Sequence, residues 1–238
     1  MRSTSILKLL CLIFLLGLPE ATRPQILDAD GFSEERVSMV ETQIEARGVT
    51  DARVLEAMRL VPRHLFIDES FWPRAYSDGP LPISNGQTIS QPYIVALMTE
   101  LLQPEEHHVV LEIGTGSGYQ AAVLSKLVRR VYTIEIVPEL GQSAERILKR
   151  LEYNNVTVRI GDGYQGWPEQ APYDRIIVTA APEEIPQKLV EQLKPGGRMI
   201  LPVGSQRRGQ DLLVLEKDQA GNVNTRQIIP VRFVPMVH

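Results

Sequence analysis

A single cysteine, Cys11, stands in this 238-residue chain. No disulfide can close within the chain, and no cysteine cluster can hold a metal. Histidine is scarce too, at four: His64, His107, His108 and His238. The adjacent pair follows Pro104-Glu105-Glu106 and is expected in a solvated loop before a strand, so no metal site is predicted. Any block of basic residues is also missing, and the net charge is −4. Nucleic-acid binders carry a basic patch or stripe, so the balance argues against that partner. The apolar run from Leu9 to Leu18 is too short for a membrane span, which needs about 20 such residues. Arg2 and Lys8 precede it and Pro19 breaks it, as in the charged and apolar regions of a secretory signal. No clean small-x-small cleavage site follows; Ala21 is the best candidate. An uncleaved anchor and an extended start site are the alternatives. Residues 1–30 are therefore set apart from the fold.

What remains is ordinary for a globular protein, with 43% hydrophobic and 23% charged residues. Its length suits one α/β domain and leaves little room for a second core. Residues 33–47 read as an amphipathic helix, with Ser33 as cap, Val37, Met39, Val40 and Ile44 as the apolar stripe, and Gly48 as the stop. A second helix is capped by Asp51, buries Val54, Leu55 and Met58, and ends at Pro62. Residues 62–92 are rich in proline, glycine and aromatics, a long irregular stretch of the kind that carries function. A helix over 91–102 follows, with Pro92 in its first turn.

From His108 onward, strand and helix patterns alternate. Strands are expected at 109–113, 131–136, 156–160, 173–179 and 198–203, with helices at 119–127, 139–151 and 185–193. Two further strands, 210–217 and 225–233, flank a Gly221-Asn222 turn and are expected to be antiparallel. The pattern predicts an α/β fold: a doubly wound, mostly parallel, Rossmann-like sheet with helices on both faces. An N-terminal helical subregion (31–107) precedes the core (108–204), and closing strands (205–238) complete a single domain over 31–238.

The most informative segment is Val110-Leu111-Glu112-Ile113-Gly114-Thr115-Gly116-Ser117-Gly118. Glycines here let a strand turn sharply into a helix and let a ligand approach the backbone. Dinucleotide-binding enzymes use a similar turn. The charge discriminates: Glu112 precedes the loop, and no lysine or arginine lies within it. A pyrophosphate would meet that carboxylate at a cost, whereas a ligand bearing a sulfonium and an ammonium would be welcomed. Glu135 ends the next strand, about 20 residues past Gly114, a spacing suited to ribose hydroxyls. Asp162 ends the third strand, within Gly161-Asp162-Gly163, where an adenine edge would lie. All three acids fall at the carboxyl ends of strands, where open α/β sheets bind ligands.

Together these residues look like the class I S-adenosylmethionine-dependent methyltransferase pattern. A narrower likeness is carried by Leu81-Pro82-Ile83, Gly86-Gln87-Thr88-Ile89-Ser90-Gln91-Pro92, Val178-Thr179-Ala180-Ala181-Pro182 and Leu193-Lys194-Pro195-Gly196-Gly197. These resemble the protein-L-isoaspartate O-methyltransferase family, from about Ser33 to Val231-Arg232-Phe233-Val234-Pro235. The resemblance implies S-adenosyl-L-methionine as methyl donor and isoaspartyl polypeptides as substrates, with D-aspartyl residues a further candidate. It implies Ser90 as the active-site residue, and donor contacts from Thr88, Ile89, Ser90, Glu112, Gly114, Gly116, Glu135, Asp162 and Gly163. A monomer is expected, working in the cytoplasm where the donor is made, although the leader points to export or anchoring. Rival readings are another class I methyltransferase acting on RNA or a small molecule, a nicotinamide-dependent dehydrogenase, and a non-catalytic donor-binding protein.

Overall fold

A computed structural model describes residues 31–238; the leader expected over 1–30 lies outside the described residues. Helix α1 (Ser33–Met39) continues into a wider π turn, Val40–Ile44, and a 3-10 turn, Glu45–Arg47. Gly48, at φ 95, stops it, in a left-handed conformation that glycine adopts freely. The expected stripe is largely buried through Met39, Val40 and Ile44. The cap expected at Ser33 falls instead on Phe32, so Ser33 is already helical. Helix α2 (Ala52–Leu60) is capped as expected: the Asp51 side chain accepts from the Arg53 backbone N–H.

The proline- and glycine-rich stretch forms 3-10 turns and one short antiparallel hairpin, β1 (Leu81–Pro82) with β2 (Thr88–Ile89). Helix α3 (Pro92–Leu102) follows with proline in its first turn. Two buried-end contacts fix it to the sheet. Arg175 Nε donates to the Leu102 carbonyl at 2.8 Å, and an Arg198 guanidinium N–H donates to the Leu101 carbonyl at 2.9 Å. Cations suit a helix carboxyl end, where the last carbonyls lack partners.

The alternating half then unfolds as read: β3 (Val109–Ile113), α4 (Tyr119–Ser125), β4 (Arg130–Glu135), α5 (Pro138–Arg150), β5 (Val156–Ile160), β6 (Tyr173–Val178) and α6 (Gln187–Gln192). It closes with β7 (Leu193–Ser205), β8 (Gly209–Lys217) and β9 (Val223–Val231). The seven-stranded sheet has the order β5-β4-β3-β6-β7-β8-β9. Strands β5 to β7 pair in parallel, and β8 and β9 are added antiparallel, as expected. Because β6 returns to pair on the far side of β3, the chain reverses direction across the sheet between β3 and β6. A crevice opens there at the carboxyl ends of the strands.

Side chains of successive strand residues point to opposite faces, and β3 buries both. Val110 joins a cluster with α1 to α4, while Leu111 and Ile113 join Leu189 and Val190 of α6 on the other face. Covering both faces is what a parallel sheet requires. The expectation of a solvated histidine pair holds only for His107. His108 is 5% exposed, and its Nδ1 accepts from the Glu105 backbone N–H at 2.9 Å. Burial pushes its pKa down to about 4. With Glu105 and His107 it brings three donor atoms within 4.8 Å of one another, at the amino end of β3 and away from the crevice.

Candidate active site

The crevice at the switch point deepens into a cavity with about 870 Å³ of empty space, open solvent included. Its floor is the turn from β3 into α4. Gly114, Gly116 and Gly118 all have positive φ, at 94, 53 and 88. At Gly114 the need for glycine is also steric: a Cβ there would meet Thr179 Oγ1 at 2.5 Å. That hydroxyl donates to the Gly114 carbonyl at 2.6 Å, tying the end of β6 to the loop.

Glu135, at the end of β4, is 6% exposed and lines the cavity. One carboxylate oxygen accepts the Gly116 N–H at 2.8 Å and the other the Val137 N–H at 3.0 Å. Each oxygen has a second lone pair, so the acid can hold the loop and still accept from a ligand hydroxyl. Gly163 lines the cavity beside it; a Cβ there would meet Ile113 Cγ2 at 2.4 Å and Met236 Cε at 3.2 Å. Asp162, the residue before Gly163, is not among the lining residues; its side chain accepts the Tyr164 N–H at 2.9 Å. Burial raises its pKa, but Gln165, the Tyr164 amide and His238 outweigh that and hold it below the usual carboxylate range.

Thr88, Ile89 and Ser90 form the opposite wall. Ser90 is not the cap of α3; that position belongs to Gln91. Its hydroxyl is thereby left to the cavity. Ser90, Thr88, Thr179 and Val234 also line a second cleft. One wall therefore separates two spaces, and Ser90 faces both.

Of the residues expected at the site, Thr88, Ile89, Ser90, Gly114, Gly116, Glu135 and Gly163 line the cavity. Glu112 does not. It lies beneath the loop with no exposed surface, on the face it shares with Val110, and neither carboxyl oxygen has a hydrogen-bond partner. Burial pushes its pKa up to about 8, the Glu135 carboxylate adds to this, and the Thr133 hydroxyl opposes it. Near pH 7 it is a neutral acid, not the anion expected to face the ligand.

The sequence reading missed the segment Val234–Val237, which closes the cavity from above. It is held by the Ala181 N–H to Val234 carbonyl and Met236 N–H to Ala181 carbonyl bonds, both 2.8 Å. Tyr164 adds its hydroxyl to the Met236 carbonyl at 3.3 Å. Nothing local in the sequence marks this role. Tyr119 and Gln120 in the first turn of α4 were missed as well; their place immediately after the glycines was the available signal.

Among the described residues no lysine or arginine lines the cavity, so a pyrophosphate would find no counter-charge there. The lining instead fits a nucleoside with a positively charged sulfur: a close-approach backbone, a strand-end carboxylate and an apolar wall. A glycine-floored cavity at the switch point of a doubly wound sheet, with this lining, defines the class I S-adenosylmethionine-dependent methyltransferases. A family model described as protein-L-isoaspartate(D-aspartate) O-methyltransferase matches residues 34–238, and the chain belongs to that family. It is similar to protein-L-isoaspartate O-methyltransferase 2 of Polaromonas sp., 56% identical over 205 residues, covering 85% of this chain and 97% of the relative. It is also similar to a Synechococcus sp. protein-L-isoaspartate O-methyltransferase, 54% identical over 228 residues and covering 93% of each chain.

Among solved structures, one protein-L-isoaspartate O-methyltransferase superposes with a TM-score of 0.78 at 31% identity, over 87% of this chain and 66% of that one. A Plasmodium falciparum structure described as a beta-aspartate methyltransferase, in complex with S-adenosyl-L-homocysteine, superposes with a TM-score of 0.73 at 26% identity, over 85% of this chain and 98% of that one. No helix among the described residues is long and apolar enough to cross a membrane.

Proposed function

We infer that the chain transfers a methyl group from S-adenosyl-L-methionine to the free α-carboxylate of L-isoaspartyl residues in damaged polypeptides. The observation that carries this reading is the wall shared by cavity and cleft, with Ser90 facing both. The donor belongs in the glycine-floored cavity. The polypeptide belongs in the second cleft, whose wall meets the donor cavity at Ser90.

When bound, the donor supplies an electrophilic methyl on a sulfonium. The acceptor carboxylate has a pKa of roughly 3.5 and is already ionised near pH 7. It needs no general base, which suits a shared wall without histidine. Attack neutralises a negative and a positive charge, so the apolar, water-excluding part of the wall favours it. Positioning supplies much of the rest, up to roughly 7–11 kcal/mol. In this reading Ser90 donates its hydroxyl to the acceptor carboxylate and holds it in line. Glu135 accepts from the ribose, Asp162 with Gly163 meets the adenine edge, and Thr88, Ile89, Gly114 and Gly116 shape the donor's bed. Glu112 is set apart from these contacts by its burial.

Methylation makes a better leaving group of the acid. The backbone nitrogen of the following residue then attacks the ester carbonyl and expels methanol, closing a succinimide whose hydrolysis returns some normal aspartate. Residues 31–238 act as one domain and as a monomer, in the cytoplasm where the donor is made. The decisive assay offers tritium-methyl donor to an isoaspartyl peptide, its normal aspartyl twin and a D-aspartyl twin. Base-labile counts in the isoaspartyl peptide and none in the aspartyl one are expected; equal counts, or none, refute the reading. Mass spectrometry of the mature N-terminus tests the compartment.

A further inference from the structure

The second cleft differs in charge from the rest of the molecule. Its wall is built from the start of α3 (Gln91, Tyr93, Ile94), the end of β9 (Ile229 to Val231) and two cations, Arg47 and Arg232. Among the described residues no aspartate or glutamate lines it, in a chain whose net charge is −4. The two arginines are not equivalent. The Arg47 guanidinium lies 3.6 Å from the centre of the Tyr93 ring and reaches Asp78 at 3.1 Å, so its charge is already compensated. Arg232 is exposed and takes part in none of the ion pairs among the described residues.

An isoaspartyl polypeptide brings one obligatory anion, the acceptor carboxylate, and the shared wall at Ser90 receives that group. Arg232 then faces the flanking chain with an uncompensated charge. Resting on the methyl-transfer reading above, we propose that Arg232 is a specificity-determining residue. It makes the enzyme prefer damaged polypeptides that carry an aspartate or glutamate close in sequence to the isoaspartyl residue. The occupant of the cleft is thus an acidic stretch of substrate chain.

The test uses isoaspartyl hexapeptides that differ only in having Glu, Gln or Lys at each of the two positions on either side of the damaged residue. Values of kcat/KM are measured with tritiated donor at low and high salt. An exposed charge pair is worth up to about 1 kcal/mol. At the responsive position Glu is therefore expected to exceed Gln about three- to fivefold, and Lys about tenfold, mainly through KM. The preference is expected to shrink to less than about twofold at 0.5 M NaCl, where the screening length falls to a few Å. Arg232→Gln is expected to remove it likewise, and Arg232→Lys to keep most of it. A Glu-to-Lys ratio near one at every position, or one unchanged in Arg232→Gln, overturns the inference while leaving the methyl-transfer reading intact. Methylation of none of the peptides overturns that reading, and the inference with it.

Discussion

Replacing Glu112 with glutamine is expected to change how stability responds to pH. The side chain sits on β3, opposite Thr133 of β4 and Ile177 of β6, with no exposed surface and no hydrogen-bond partner. Burial raises its pKa from the ordinary 4.5 to about 8. Between those two values the folded protein holds a proton that the unfolded chain has released. Stability therefore falls as pH rises through this window, by up to about 1.4 kcal/mol per unit for one group. From pH 5 to pH 8 the loss accumulates to roughly 3 kcal/mol.

Glutamine has nearly the same shape and no proton to release. Its amide adds its own burial cost, of about 1–3 kcal/mol if unsatisfied, but that cost does not change with pH. The informative quantity is hence the difference between two slopes. Urea unfolding of both proteins at pH 5, 6, 7 and 8, extrapolated linearly to water, measures it. The native protein is expected to lose roughly 3 kcal/mol more than Glu112→Gln across the range. Profiles parallel to within about 0.5 kcal/mol, less than a single pH unit contributes, refute a neutral buried acid. Glu112 would then be charged, and a compensating contact would have to exist.

Three further perturbations test the site. Ser90→Ala is expected to keep donor affinity within about twofold while lowering turnover roughly 10- to 100-fold, the worth of a hydrogen bond to a charged group; calorimetry and the tritium assay read the two separately. Glu135→Ala is expected to raise the donor dissociation constant at least about tenfold, because it strands the Gly116 and Val137 N–H groups as well as the ribose; an unaltered constant by calorimetry counts against this. Gly114→Ala drives a methyl to 2.5 Å from Thr179 Oγ1 at a φ of 94, so donor binding is expected to be lost with about 1–3 kcal/mol of stability, and an unchanged unfolding midpoint would show that the loop has room.

The alternating core was legible because its signals are long and consistent. Strands β3 to β6 are apolar runs bounded by glycine, proline or acid, and α5 carries a strong helical period, so each element appears within a residue or two of its expected place. The misses have local causes. The hairpin of β1 and β2 is two residues a side, too short for alternation to register. Strand β7 begins at Leu193, not Arg198, because it runs through Lys194-Pro195-Gly196-Gly197 with a register shift against β6. Proline and glycine there look like a break but form an irregularity in a strand. The π turn in the first helix leaves the same residues buried, so its pattern could not reveal it. His108 was misjudged because a polar neighbourhood in sequence says little about a side chain folded back onto the Glu105 amide.

The two strand-end acids show where sequence distance stops being informative. Both Glu112 and Glu135 stand beside the glycine loop in the sequence pattern, and both were expected to face the ligand. Parallel pairing sets Glu112 opposite Thr133, so Glu135 lies two residues further along the sheet, on the same face. That displacement is one pleat, about 6.6 Å. It is enough to carry Glu135 up to the loop's backbone, where Gly116 and Val137 supply two N–H donors. Glu112 stays below, under a lock formed by the Thr115 and Thr133 hydroxyls at 2.7 Å. Two acids of the same chemistry thus end as a hydrogen-bonded acid on the cavity wall and a neutral one in the core. The deciding variable is register between neighbouring strands, which periodicity within either strand does not encode. The same reasoning applies to Val234–Val237, which reaches the cavity only because β9 is the last strand of the sheet and the chain beyond it must cross back over β6 to meet Ala181.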